Sequence, residues 1–81
     1  MESVRDNVLG VVIETLKPSG TDPLSDEDRF AEDLEADSLE AVELVLALEK
    51  CFGIEIADEE AANTGTVGEA VALVSRKVAR P

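Results

Sequence analysis

Apolar residues recur near the start of the chain at Val4, Val8, Val11, Val12 and Leu16, the spacing of a helix with one buried face. Ser3, followed three residues later by Asp6, supplies an N-cap and a first-turn carboxylate, so a helix is expected from about Ser3 to Leu16. Lys17 suits its last turn, and Pro18 with Gly20 ends it. Between Pro18 and Ala36 no period is sustained. Pro18, Gly20 and Pro23 break it, and Leu24, Phe30 and Leu34 are isolated apolar anchors. Ser25 with Asp28 predicts a short capped helical turn. A connection this long in a small domain is expected to be functional or to be pinned to the core by its anchors.

The strongest pattern follows. Asp37 and Glu40 form an acidic version of the capping box, good helix formers run on to Cys51, and Gly53 stands where a left-handed C-terminal residue is expected. The apolar pair Ile54 and Ile56 comes next, and Asp58, Glu59 and Glu60 open a short third helix. Thr66 and Glu69 make a second capping box, beginning a last helix that places Val67, Val71, Val74 and Val78 on one face. No strand alternation and no internal repeat interrupt this. The expected fold is all-α: a four-helix bundle with three main helices, a short third helix and a long loop between helices 1 and 2.

On a helical wheel with Ser38 at zero, Ala41, Leu44, Val45, Leu48 and Phe52 fall between about 240° and 340°, an ordinary core face. Leu39, Val42 and Leu46 fall near about 40° to 100°, on a separate apolar stripe beside Ser38. Glu43 and Glu49 border that stripe. An apolar centre with a carboxylate rim resembles half of a protein–protein interface; the bland alternative is a central helix buried on nearly all sides. Cys51, near about 220°, lies beside the core face and reads as a small buried hydrophobe.

Charge sharpens the picture. The chain has 81 residues, 19 acidic and 7 basic, for a net charge of −12. Between Asp22 and Glu60 there are 15 acidic residues against Arg29 and Lys50, so the middle of the chain carries the whole net charge. Binding to nucleic acid is disfavoured, and proteins with basic patches are the expected partners. A hydrophobic fraction of 44% is too rich for a disordered acidic chain. The length suits a single domain spanning residues 1–81, with a core too thin for a deep water-excluding active site. No apolar run approaches a membrane span, and the first ten residues, with Glu2 and Asp6, lack the basic start and apolar core of a signal peptide. The expected place is the cytoplasm, or an organelle lumen after removal of a targeting segment.

Candidate chemistry narrows to Ser38. Taken alone, a serine after an aspartate at a helix start reads as capping chemistry. With no histidine in the chain it has no triad base, and no Cys/His metal spacing exists. An enzyme in its own right is therefore not expected. A calcium loop starting at Asp26 fails because Phe30 and Ala31 stand where an oxygen ligand and a glycine are needed. If Ser38 reacts, another enzyme activates it; a helix N-terminus holds it exposed and favours a nearby phosphate.

The run from Phe30 to Glu49, built around Glu32-Asp33-Leu34, Asp37-Ser38-Leu39 and Val42-Glu43-Leu44, resembles the acyl carrier proteins. The likeness continues through Phe52-Gly53-Ile54-Glu55-Ile56 and Asp58-Glu59-Glu60-Ala61, then resumes at Thr66-Val67. It implies that Ser38, flanked by Asp37 and Leu39, is the attachment point of 4'-phosphopantetheine, transferred from coenzyme A by a phosphopantetheinyl transferase using magnesium. It implies that Leu39, Glu40, Val42, Glu43, Leu46 and Glu49 meet partner enzymes: acyl synthases, reductases, dehydratases and acyltransferases with basic patches. The space between helices would sheathe the cargo, the chain would be a monomer, and the pathway would be fatty acid synthesis. A specialised polyketide, acyl or aminoacyl pathway is the alternative, as is a docking subunit that carries nothing. Three departures stand out. Glu35 replaces the family's usual glycine, Lys50 interrupts an often wholly acidic stretch, and Ala57, Thr64 and Gly65 replace common proline, isoleucine and threonine, which is expected to loosen the third helix.

Overall fold

The computed structural model describes residues 3–16, 25–34 and 36–79, and four helices order it: α1 (Val4–Leu16), α2 (Ser38–Phe52), α3 (Asp58–Ala62) and α4 (Val67–Val78). Local chemistry sets their ends. Ser3 Oγ accepts the Asp6 N–H at 3.0 Å at the start of α1. Gly53 closes α2 in the left-handed region, at φ 64°, with its N–H donating to Glu49 O. Thr66 Oγ1 accepts the Glu69 N–H at 3.2 Å while Glu69 Oε1 accepts the Thr66 N–H at 3.1 Å, the reciprocal box expected for α4.

The core is drawn from α1 (Val8, Val12, Leu16), α2 (Leu44, Leu48) and α4 (Val67, Ala70, Leu73, Val74), closed by Phe30 and Ile56 from the connections. Full burial of such a side chain is worth about 1.5–3 kcal/mol. The expected bundle with its long loop is what forms, with α3 contributing no buried residue. Among the described residues the one β-type pairing is an isolated antiparallel bridge between Arg29 and Thr66.

That bridge belongs to the fastening of the loop. The Asp28 and Asp26 carbonyls accept the Val67 and Gly68 N–H groups at 2.9 Å each, so the loop satisfies first-turn amides of α4 that its own helix cannot. The Phe30 N–H donates to Gly65 O at 3.0 Å, and Arg5 holds Asp26 Oδ1 through Nε and Nη2 at 3.1 and 2.8 Å. Phe30 and Leu34 thus act as the expected anchors; Lys17, Pro18, Gly20, Pro23, Leu24 and Glu35 lie outside the described residues.

The capped turn expected at Ser25 and Asp28 forms: Asp28 Oδ2 accepts the Ser25 N–H at 2.9 Å and Ser25 Oγ accepts that of Glu27 at 3.3 Å. Three expectations are corrected. In α4 the buried stripe runs through Val67, Ala70, Leu73 and Val74, and Val78, in the last turn, is exposed. Ala41 is exposed too, at the edge of the α2 core face. Cys51, in the last turn of α2, is exposed rather than buried beside the core.

Candidate functional site

The site is organised by the first turn of α2. Asp37 lies in extended backbone just outside the helix, and its Oδ1 accepts the Glu40 N–H at 2.8 Å. Glu40 Oε1 accepts the Asp37 N–H at 3.3 Å in return. Capping is therefore the work of Asp37, and it does not account for Ser38. That serine is the first helical residue, exposed, with its direction set by a turn locked on both sides.

Two apolar features meet at Ser38. One is the outer stripe of α2: Leu39, Val42 and Leu46 are 66%, 55% and 53% exposed, so the helix is not buried all round. Glu43 is exposed beside them. The other rim residues have internal duties. Glu40 is half-buried in the capping box, and half-buried Glu49 accepts the Ile56 N–H on Oε2 at 2.8 Å, fastening the segment after α2. The second feature is a cavity of about 430 Å³ with Ser38 on its lining, walled by Leu44 and Leu48 of α2, Ala61 of α3, Leu73 of α4 and Phe30 of the loop.

The sequence pattern brought Asp37, Ser38, Leu39, Val42, Glu43 and Leu46 to one end and face of α2, where they are found. It missed the cavity wall. Ala61, Ala70 and Leu73 belong to it, and the signal for the last two was their helical spacing from Val67; alanine carries little weight in a hydrophobic pattern. Among the described residues no cluster of His, Cys, Asp or Glu is arranged to hold a metal, and no helix is long and apolar enough to cross a membrane.

Comparison with known families decides the class of site. The family described as the phosphopantetheine attachment site matches residues 6–74. The chain belongs to this acyl carrier family. It is 46% identical over 72 residues to the acyl carrier protein of Wolinella succinogenes, covering 89% of this chain and 93% of that one. It is 49% identical over 69 residues to the acyl carrier protein of Helicobacter hepaticus, covering 85% and 90%. A Mycobacterium tuberculosis structure titled as an acyl carrier protein superposes with a TM-score of 0.84 at 24% identity, over 91% of this chain and 97% of that one, a likeness of fold.

Acyl carrier proteins are carriers rather than enzymes, and their cofactor is 4'-phosphopantetheine. The first turn of α2 fits such a group. Ser38 offers an exposed hydroxyl, the N-terminal end of the helix dipole and its outward amides favour a phosphodiester, and an apolar cavity opens alongside. The nearby Asp37 and Glu40 carboxylates oppose an anion, and each is turned to a backbone amide of the same turn.

Proposed function

We propose that Ser38 carries the 4'-phosphopantetheine arm and that residues 1–81 act as one acyl carrier domain in fatty acid biosynthesis. The observation that carries this reading is an exposed Ser38, relieved of capping by Asp37, at the junction of an outward apolar stripe and an inward apolar cavity. When bound, the group supplies a terminal thiol on which an acyl unit rides as a thioester. The residues of the chain do the rest. Asp37 and Glu40 hold the first turn so that Ser38 projects in one direction. Leu44, Leu48, Phe30 and Leu73 line space from which water is excluded by their apolar surface, sheltering an aliphatic cargo.

Partners are met by Leu39, Val42 and Leu46. Covering the exposed half of each is worth roughly 1 kcal/mol, enough for transient docking and too little for a permanent complex. Glu40, Glu43 and Glu49, within a chain of net charge −12, steer basic patches on the phosphopantetheinyl transferase and on acyl synthases, reductases, dehydratases and acyltransferases. The same charge keeps copies apart, in keeping with a monomer in the cytoplasm. Exposed Lys50, in the last turn of α2, sets a cation at the end of this rim and favours a second reading, a carrier in a specialised acyl pathway.

Loading assays separate the pathways. The phosphopantetheinylated chain is offered malonyl-coenzyme A with a malonyl acyltransferase of fatty acid synthesis, and separately an amino acid with ATP and an aminoacyl-loading enzyme. Malonyl uptake alone is expected; aminoacyl uptake without malonyl uptake would sink the fatty acid assignment.

A further inference from the structure

The outer stripe of α2 does not end at Leu46. That residue also lines an open depression of about 670 Å³ beside the end of the helix, together with Lys50 and Ile54. Lys50 follows Leu46 by one turn, about 6 Å farther along the axis, and follows Glu43 by two, so the three share a face. The other charged residues of α2, Glu40, Glu43 and Glu49, are all acidic. The stripe therefore runs out onto a reversed charge, and the Lys50 side chain is exposed.

No carboxylate of the described residues pairs with this cation. The positions one turn away on either side are Leu46, Ala47, Gly53 and Ile54, none of them an acid. The ion pairs of the described residues are Arg5–Asp26, Arg29–Glu32 and Lys77–Glu60, and Lys50 is in none of them. Two acids around the depression are already engaged: Glu49 accepts the Ile56 N–H, and Glu60 holds Lys77 at 2.8 Å. Glu55 borders it as well and is exposed. A partner lying along the stripe thus meets Glu43 first and then, past Leu46, a cation. A wholly basic patch over Lys50 would be repelled and desolvate the ammonium without return; a carboxylate there turns the same contact favourable. The carbonyl end of α2 also favours a cation for the stability of the helix alone, a benefit that unfolding reads separately from docking.

We infer that the docking surface runs past Leu46 onto Lys50, and that it fits partner enzymes that set a carboxylate against Lys50 beyond the basic patch facing Glu43. Lys50 is then a specificity-determining residue: it admits partners of mixed charge and penalises those whose patch is basic throughout. The inference rests on the reading that Ser38 bears the arm and that partners dock on Leu39, Val42 and Leu46.

The probe is a phosphopantetheinyl transferase whose docking patch is wholly basic, acting on the full chain with coenzyme A and magnesium. Wild type is compared with Lys50→Gln, Lys50→Glu and Arg76→Glu. The last makes the same change of net charge at an exposed position of α4 that does not line the depression. The KM for the chain is expected to fall from wild type through Lys50→Gln to Lys50→Glu by roughly two- to tenfold in all, the scale of an exposed charge turned from repulsion to attraction. The kcat stays level, Arg76→Glu leaves KM near that of wild type, and the differences shrink at high salt. The transferase is then altered by replacing one Lys or Arg of its patch at a time with Glu. At one position the order is expected to reverse, wild type becoming a better substrate than Lys50→Glu. Equal KM for the three Lys50 forms, with a change in Tm alone, would overturn the inference and leave the cation to the helix dipole. A fall in KM that Arg76→Glu matches, or that no patch substitution reverses, would reduce the effect to net charge and overturn it too. In both cases the carrier reading stands. Absence of transfer to every form would strike the attachment reading and this inference with it.

Discussion

Replacing Asp37 by alanine deletes the acceptor of the Glu40 N–H at the start of α2 and leaves the turn that bears Ser38 without its cap. Loss of an N-cap carboxylate costs about 1 kcal/mol, within a range of about 0.5–2. Unfolding entropy of about 2.1 cal/mol/K per residue over 81 residues converts that to a fall in Tm of about 6 °C. An opposing effect must be separated: with a net charge of −12, removing any carboxylate relieves repulsion. Asp37→Asn supplies the control, because asparagine caps about as well as aspartate while losing the same charge. Urea and thermal unfolding of both variants are therefore expected to place Asp37→Ala about 1 kcal/mol below Asp37→Asn. The rate of phosphopantetheine transfer should follow the same order, since a frayed first turn no longer aims Ser38. Equal stabilities for the two variants would refute the reasoning and assign the role of Asp37 to its charge alone.

Other substitutions probe the loop, the docking stripe and the Glu60–Lys77 ion pair between α3 and α4. Gly68→Ala gains about 1 kcal/mol in helix propensity, but its Cβ would sit 3.0 Å from both Cβ and O of Asp26, whose carbonyl also accepts the Gly68 N–H. Overpacking costs about 1–3 kcal/mol and the strained hydrogen bond about another 1, so a net loss of about 1–3 kcal/mol is expected in thermal unfolding, and a gain would contradict the loop packing. Leu46→Asp, at a half-exposed position, should leave stability within about 0.5 kcal/mol while raising the KM of acyl-transferring partners; a folding defect instead would mean that the stripe is structural. The Glu60 carboxyl lies below its ordinary value of 4.5, first through its hydrogen bond from Lys77 and then through that from Ala57. A lowered carboxyl stabilises the fold fully above that ordinary value and ceases to as pH falls through the lowered one. The stability advantage of wild type over Lys77→Met should thus be constant above the ordinary value of 4.5 and shrink as pH falls below it, followed by urea midpoints. An advantage that grows on acidification would contradict the assignment.

The elements most legible in the sequence were those written in local chemistry. The boxes at Asp37–Glu40 and Thr66–Glu69 and the left-handed Gly53 involve residues a few positions apart, so they mark helix ends without reference to tertiary contacts. The outer stripe was legible because Leu39, Val42 and Leu46 fall outside an already complete core face. Less legible was what depends on where a neighbouring helix stops. A wheel gives Cys51, Ala41 and Val78 an angle near the core, but burial also requires a neighbour packed at that height, and all three are exposed, Ala41 at the edge of the cavity. Contacts distant in sequence escaped for the same reason. Glu49 read as a rim charge yet spends an oxygen on the Ile56 amide, and Glu60 read as a first-turn acid yet meets Lys77 across the bundle. Ala57 and Thr64, at the two ends of α3, both meet Glu60: one donates its N–H and the other its hydroxyl to that residue.

The central claim is attachment at Ser38, and intact mass tests it most directly. The chain and its Ser38→Ala variant are incubated with coenzyme A, magnesium and a broad-specificity phosphopantetheinyl transferase. One phosphopantetheine added to the wild type and none to the variant is the predicted result. No addition to folded wild type with several transferases, or equal addition to the variant, would contradict the account; in the first case a docking subunit with the carrier fold becomes the leading reading.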